Sequence, residues 1–156
     1  MSAGPRASHF GDVPGQPPGS VYADRRALAA AGVHRTTRAG IYGRAAEGAE
    51  SVVLAGAYED DEDRGDAVVY TGMGGRDPRT GRQVADQLLA RQNLALAHNL
   101  RFGLPVRLVR GAGPGVFAAP TEGYRYDGLY RVADYWAEAG AAGYKVWRFR
   151  LVRGTP

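Results

Sequence analysis

Residues 144–152, YKVWRFRLV, set Trp147, Phe149 and Leu151 against Arg148 and Arg150. A side-chain period of two belongs to an extended strand with one dry and one wet face, so this stretch cannot be an amphipathic helix. The chain must therefore supply a sheet for this strand to join. Residues 51–55 (SVVLA) and 66–71 (DAVVYT) are rich in β-branched side chains and predict two more strands. An acidic, Gly-containing loop separates them, which reads as a hairpin-like pair. Residues 105–110 and 128–135 continue the strand pattern.

Helical signals are fewer. Asp24 caps a short helix over 25–31 that Gly32 stops. Thr80 and Gln83 make a capping box opening a helix over 83–99, with Val84, Leu88, Leu89, Ala95 and Leu96 on its apolar face. Short strands and two helices without regular alternation predict an α+β fold built on a twisted or barrel-like sheet. The first twenty residues hold Pro5, Pro14, Pro17, Pro18 and four glycines, the composition of an extended arm. A flexible arm is expected over 1–8 and one domain over 9–156.

Composition narrows the chemistry. At 156 residues, with 44% hydrophobic and 23% charged side chains, one globular domain is expected and a wholly disordered chain is not. The absence of cysteine excludes disulfides, thiolate catalysis and Cys-ligated zinc. No apolar run is long enough for a membrane span, and MSAGPRASHFGDVPG lacks the apolar core of a signal peptide. A soluble, intracellular protein is expected. The net charge is +4 and Lys145 is the only lysine, so the basic surface is made of arginine. Guanidinium forks suit phosphate, although an Ala/Gly/Arg bias also follows from high-GC coding.

Glu59, Asp60, Asp61, Glu62 and Asp63, with Asp66 beyond, form an acidic run that is unusual in a basic chain. Counted from Asp61, a calcium loop would need glycine sixth and Glu twelfth, but Gly65 is fifth and Gly72 twelfth. No histidine or lysine lies near in sequence to complete a magnesium-dependent nuclease. A solvated loop remains one reading. The other uses Tyr58 and Tyr70, which bracket the loop. An everted nucleobase loses its stacking partners and regains them on side-chain π-faces, each worth ~1–3 kcal/mol. A carboxylate between two rings accepts naturally from the N4 amino group of cytosine, which would assign base selection to Asp61. Ordinary strand aromatics packing the sheet are the competing account of the tyrosines.

The stretches HFGDVPGQPPG (9–19), GVHR (32–35), AGIYGR (39–44), VLAGAYEDDEDRGD (53–66), YTGMGGRD (70–77), NLALAHN (93–99), PVRLVRG (105–111), YRYDGLYRV (124–132) and YKVWRFRL (144–151) together resemble an SRA (SET- and RING-associated, or YDG) domain of bacterial type. The resemblance implies a single crescent-shaped β-barrel of PUA-like fold flanked by a few helices. It implies a reader that rotates 5-methylcytosine out of duplex DNA into a pocket. Tyr58 and Tyr70 match the stacking tyrosines and Asp61 the carboxylate at the cytosine amino edge. Ala55, Gly56, Ala57 and Thr71 match the pocket wall. Ala57 stands where many relatives have glycine, and Met73 where a small polar residue is frequent, so 5-hydroxymethylcytosine stays open as a ligand. Arg25, His34 and Arg35 match positions near the phosphate backbone. Arg38 lies on a thumb-like loop at 37–39 that would fill the hole left by the base. Arg79 and Arg82 lie on a short finger-like loop at 77–82.

These residues imply double-stranded DNA carrying a C5-modified cytosine as the partner, no cofactor or metal, and no catalysis by the domain itself. An HNH nuclease, fused or separate, would make it the specificity module of a modification-dependent restriction system. Such a module would be cytoplasmic in a bacterium, and an epigenetic reader would be nuclear in a eukaryote. A base-excision glycosylase using Asp61 and a general nucleic-acid-binding protein are the alternatives.

Overall fold

The computed structural model describes residues 7–156. Eight strands form one sheet in the order β2-β3-β6-β7-β8-β5-β4, with β1 paired to β7. The strands are β1 Val21–Tyr22, β2 Ile41–Arg44, β3 Gly48–Leu54, β4 Glu62–Asp63, β5 Ala67–Thr71, β6 Val106–Gly111, β7 Tyr124–Ala139 and β8 Lys145–Arg153. The helices are α1 Arg25–Ala30 and α2 Arg91–Phe102. The α+β class holds, but the ladder ends at β2 and β4, which do not pair. The sheet is open and is not a closed barrel.

Every residue of β3 is buried. It runs parallel to β6 and antiparallel to β2, with α2 packed against β2 and β3. The expected hairpin between residues 51–55 and 66–71 does not form, because each run has a better partner elsewhere. In β5, Val68 faces Leu151 and Tyr70 faces Phe149 of β8, so apolar side chains meet across the ladder. The chain leaving β3 is thereby freed from pairing over 55–61.

The alternation of β8 is largely as the sequence implies. Phe149 and Leu151 are buried, Trp147 packs against the same core, and Arg150 is exposed. Arg148 departs from it at 7% exposure. Its guanidinium donates to Glu138, to Glu62 and to the Asp60 carbonyl, and these acceptors make burial of the charge tolerable.

One expected helix changes. The long helix begins at Arg91, not at residue 83. Thr80 Oγ1 accepts from the Arg82 backbone amide, and Gln83 Nε2 donates to the Gly74 and Ala85 carbonyls, so the capping box is never built. Gln87 ties the strap down. Its Nε2 donates to the Gly72 carbonyl and its Oε1 accepts from the Trp147 amide, while Val84 and Leu88 stay 50% and 71% exposed. The apolar periodicity that suggested a helix therefore counted two side chains that face solvent. Gly103, at φ +66, closes α2 in the left-handed conformation.

The proline-rich beginning folds through turns at 13–16 and 17–20 and is tied to the domain by hydrogen bonds from Ala7 onward. Of the arm expected over 1–8, residues 1–6 lie outside the described residues. Arg107 Nη1 donates to the His9 and Gly11 carbonyls, and Tyr126 donates to Asp12. A segment rich in proline leaves carbonyls free, and a buried guanidinium needs acceptors.

Candidate functional site

Past β3, residues 55–61 leave the sheet, and flanking contacts fix their course. Gly56 has φ +74, and a Cβ there would stand 2.4 Å from the Pro114 carbonyl oxygen, so only glycine fits. The acidic run is then divided among separate partners. The Asp60 carboxylate accepts from the Ala141 amide, Glu62 pairs with Arg148, and Asp66 with Arg153. Asp63 binds the Arg110 guanidinium through both oxygens at 2.8 and 2.9 Å and also accepts from Gly65 and Phe117. Held on both sides, Asp61 is the member that lines a cavity shared by Tyr58 and Tyr70.

That cavity, of about 240 Å³, is lined by Tyr58, Asp61 and Tyr70 together with Ala55, Ala57 and Met73. It lies below the ~300–1,000 Å³ typical of drug-sized sites and suits a single ring. Asp61 Oδ1 accepts from the Thr71 amide at 2.7 Å, which leaves recognition of a ligand to Oδ2. Burial pushes the Asp61 carboxyl up to about 6, against the lowering pull of the Thr71 amide and the Arg148 charge. Tyr70 is buried, and its single hydroxyl proton is shared between the carbonyls of Gly40 and Val53, each 3.1 Å from the hydroxyl oxygen. The Arg76 guanidinium lies over the Tyr58 ring at 4.5 Å from the centroid.

Of the expected wall residues, Gly56 lines an adjoining cavity with Pro114, Gly115 and Val116. Thr71 is fully buried and acts on the site through its amide. Sequence reasoning missed Tyr124 and Arg76, which also line the base-sized cavity. Arg76 lies in the GGRD stretch, but nothing local in that stretch shows that it stacks on Tyr58.

The expected phosphate-binding residues separate into two groups. Arg38 is exposed at the cavity, and Arg79 and Arg82 are exposed on their loop. Arg25 also lines the cavity, but one of its nitrogens donates to the Thr36 and Ala39 carbonyls. His34 and Arg35 are instead engaged by partners within the protein. Arg35 is paired at 2.7 Å with Glu50, which also accepts from Arg107. His34 has no exposed surface; Nδ1 sits 2.7 Å from Ser51 Oγ and Nε2 2.8 Å from the Ala39 carbonyl. The carbonyl can only accept, so Nε2 carries the proton and Nδ1 accepts from Ser51.

Burial lowers the His34 pKa to about 3; the Ala39 carbonyl opposes this, and the charges of Arg25 and Arg107 add to it. The unfolded chain binds this proton near pH 6.5 and the folded one does not until about pH 3. Folding stability is thus complete above 6.5 and falls as pH drops, by up to about 1.4 kcal/mol per unit. Asp61 acts oppositely between 3.8 and about 6, so urea midpoints are best compared in an Asp61→Asn background. His34→Gln, which keeps a donor and an acceptor, should flatten the slope between pH 6 and 4. An unchanged slope would assign the acid sensitivity to other groups.

The SAD/SRA domain family model matches residues 9–155. The chain is 46% identical over 167 residues to the rat E3 ubiquitin-protein ligase UHRF1, covering 94% of this chain and 22% of that protein. Its structure superposes on the modification-dependent TagI restriction endonuclease with a TM-score of 0.90 and 45% identity, covering 93% of this chain and 52% of that one. The SUVH5 SRA domain bound to fully hydroxymethylated CG DNA gives a TM-score of 0.79 and 35% identity, covering 96% and 97%. The chain thus spans about a fifth of the curated ligase and about half of the endonuclease.

Proposed function

Because the chain belongs to the SAD/SRA domain family, we propose that it reads a C5-modified cytosine in double-stranded DNA, turning that base out of the helix into the cavity between Tyr58 and Tyr70. The observation that carries this reading is Asp61, a largely buried carboxylate with one oxygen engaged, in a single-ring cavity lined by two tyrosines. Among bases, cytosine offers an amino donor at the edge next to C5. Ala55, Ala57 and Met73 give the C5 substituent an apolar surround, where a methyl group contributes about 0.8 kcal/mol by burial. That increment is small, so shape and the cost of eversion must widen the discrimination.

The domain itself breaks no bond in this account. Its likeness to a modification-dependent restriction endonuclease that is about twice as long supports a role as the specificity module beside an HNH nuclease. The likeness to a hydroxymethylated-DNA complex supports 5-hydroxymethylcytosine as a second ligand.

Competition among duplexes carrying cytosine, 5-methylcytosine or 5-hydroxymethylcytosine, at fixed ionic strength, tests the reading. A preference for one or both modified duplexes is expected, and equal affinity for all three would overturn it. The exposed arginines should behave differently from the cavity. Arg79→Ala and Arg82→Ala are expected to weaken modified and plain duplexes alike and to flatten the salt dependence by about one unit per lost phosphate contact. A change in modification preference would instead place those side chains at the base.

A further inference from the structure

Tyr70 joins parts of the sheet that do not pair directly with each other among the described residues. It belongs to β5, near one end of the strand order, while Val53 belongs to β3 and Gly40 lies just before β2, at the other end. Its hydroxyl reaches both carbonyls, and the Gly40 carbonyl also accepts from the Val53 amide at 2.8 Å. The fit is close. A Cβ on Gly40 would stand 2.8 Å from the Tyr70 hydroxyl oxygen. The loop that Gly40 ends is the one bearing Arg38. Two further side chains hold its main chain, Arg25 through Thr36 and Ala39, and His34 through Ala39. One tyrosine thus presents a ring to the base cavity and a hydroxyl to the loop beside it.

We propose that Tyr70 is a positioning residue for the 36–40 loop as well as a wall of the base cavity, its hydroxyl bridging β5 to Gly40 and Val53 so that loop and cavity act as one unit. The proposal rests on the base-eversion reading and adds the coupling. Capture of an everted base needs the cavity alone. Driving the base out and keeping the gap closed needs the loop held at a fixed distance from the cavity, because a side chain that slackens by an ångström no longer competes with restacking. The tether therefore matters most when the target base is paired, and least when it has no partner to leave.

The experiment measures binding of the wild type, Tyr70→Phe and Gly40→Ala to two 5-methylcytosine duplexes, one with guanine opposite the target and one with an abasic site opposite it. An unmodified duplex completes the set. Tyr70→Phe keeps the ring and removes the tether, whereas Gly40→Ala pushes the hydroxyl away from the other side. Each variant is expected to lose about tenfold on the paired duplex and less than threefold on the abasic-opposed one, a difference in fold-change that reports coupling. Equal losses on both duplexes, or none on either, would overturn the proposal. Thermal melts accompany each variant; if Tyr70→Phe is unfolded at the assay temperature, Gly40→Ala decides. A wild type that fails to prefer modified over unmodified duplex would overturn the reader itself, and that arm alone shows it.

Discussion

Asp61→Asn is expected to abolish discrimination between modified and plain cytosine while making the free domain more stable at pH 7. The Thr71 amide must keep its acceptor, so the Asn oxygen stays there and the NH₂ faces the cavity, opposite the cytosine amino donor. Losing a charge-assisted hydrogen bond of about 1.5–3 kcal/mol lowers affinity for the modified duplex roughly 10- to 100-fold. Stability moves the other way. The carboxyl titrates near 6 in the folded state against 3.8 for the ordinary group, so ionising it costs nothing below 3.8 and the full penalty above 6. At neutral pH that penalty is of order 3 kcal/mol, and the amide removes it. The same sign predicts that wild-type binding weakens as pH falls through 6, since the protonated oxygen no longer accepts from the amino group, and that the Asn variant lacks this inflection. Calorimetric binding paired with thermal melts separates the outcomes: an Asn variant that loses stability and keeps its preference would remove Asp61 from recognition.

Arg110→Leu should be the most damaging single substitution away from the cavity. Its guanidinium, 2% exposed, donates to Asp63, Asp127, the Gly65 carbonyl and the Tyr130 hydroxyl. Burial acts to raise the Asp63 carboxyl, yet Arg110 and the amides of Gly65 and Phe117 hold it below its ordinary value. Removing the cation strands a buried carboxylate, a loss of about 3–5 kcal/mol that lowers the melting temperature of a chain this size by roughly 10–15 °C. Replacing both partners, as in Arg110→Leu with Asp63→Leu, should recover much of that loss, because the uncompensated charge is what costs. A single variant that melts within 2–3 °C of the wild type would show the pair to be incidental.

The grouping of three side chains around one cavity was legible in the sequence because it is local, while the choice between a base pocket and ordinary sheet packing rested on the resemblance to the SRA family. Tyr58, Asp61 and Tyr70 lie within thirteen residues, and two rings bracketing a carboxylate admit few uses. The strand at residues 144–152 was equally clear from its period. The rest depended on partners distant in sequence. Nothing near Glu50 announces that it takes Arg35 and Arg107, nor does anything near Asp63 point to Arg110, 47 residues away. The resemblance placed His34 and Arg35 near the phosphate backbone, and their partners Ser51 and Glu50, 17 and 15 residues away, are not announced locally either. The helix expected from residue 83 failed for a related reason. Val84 and Leu88 fall on a helical stripe, but Gln87 binds that segment to Gly72 and Trp147 before a helix can form. Periodicity marks which residues are apolar; only the tertiary partners decide whether the backbone follows.

The strand order has a consequence for how the domain comes into being. β4 and β5, which follow Asp61 in the chain and of which β5 carries Tyr70, share backbone pairing with the remainder of the described sheet through β8. The two sides of the cavity between Tyr58 and Tyr70 are thus tied into one sheet through residues 145–153, a contact of large sequence separation, so the docking of β8 is the step that completes the cavity.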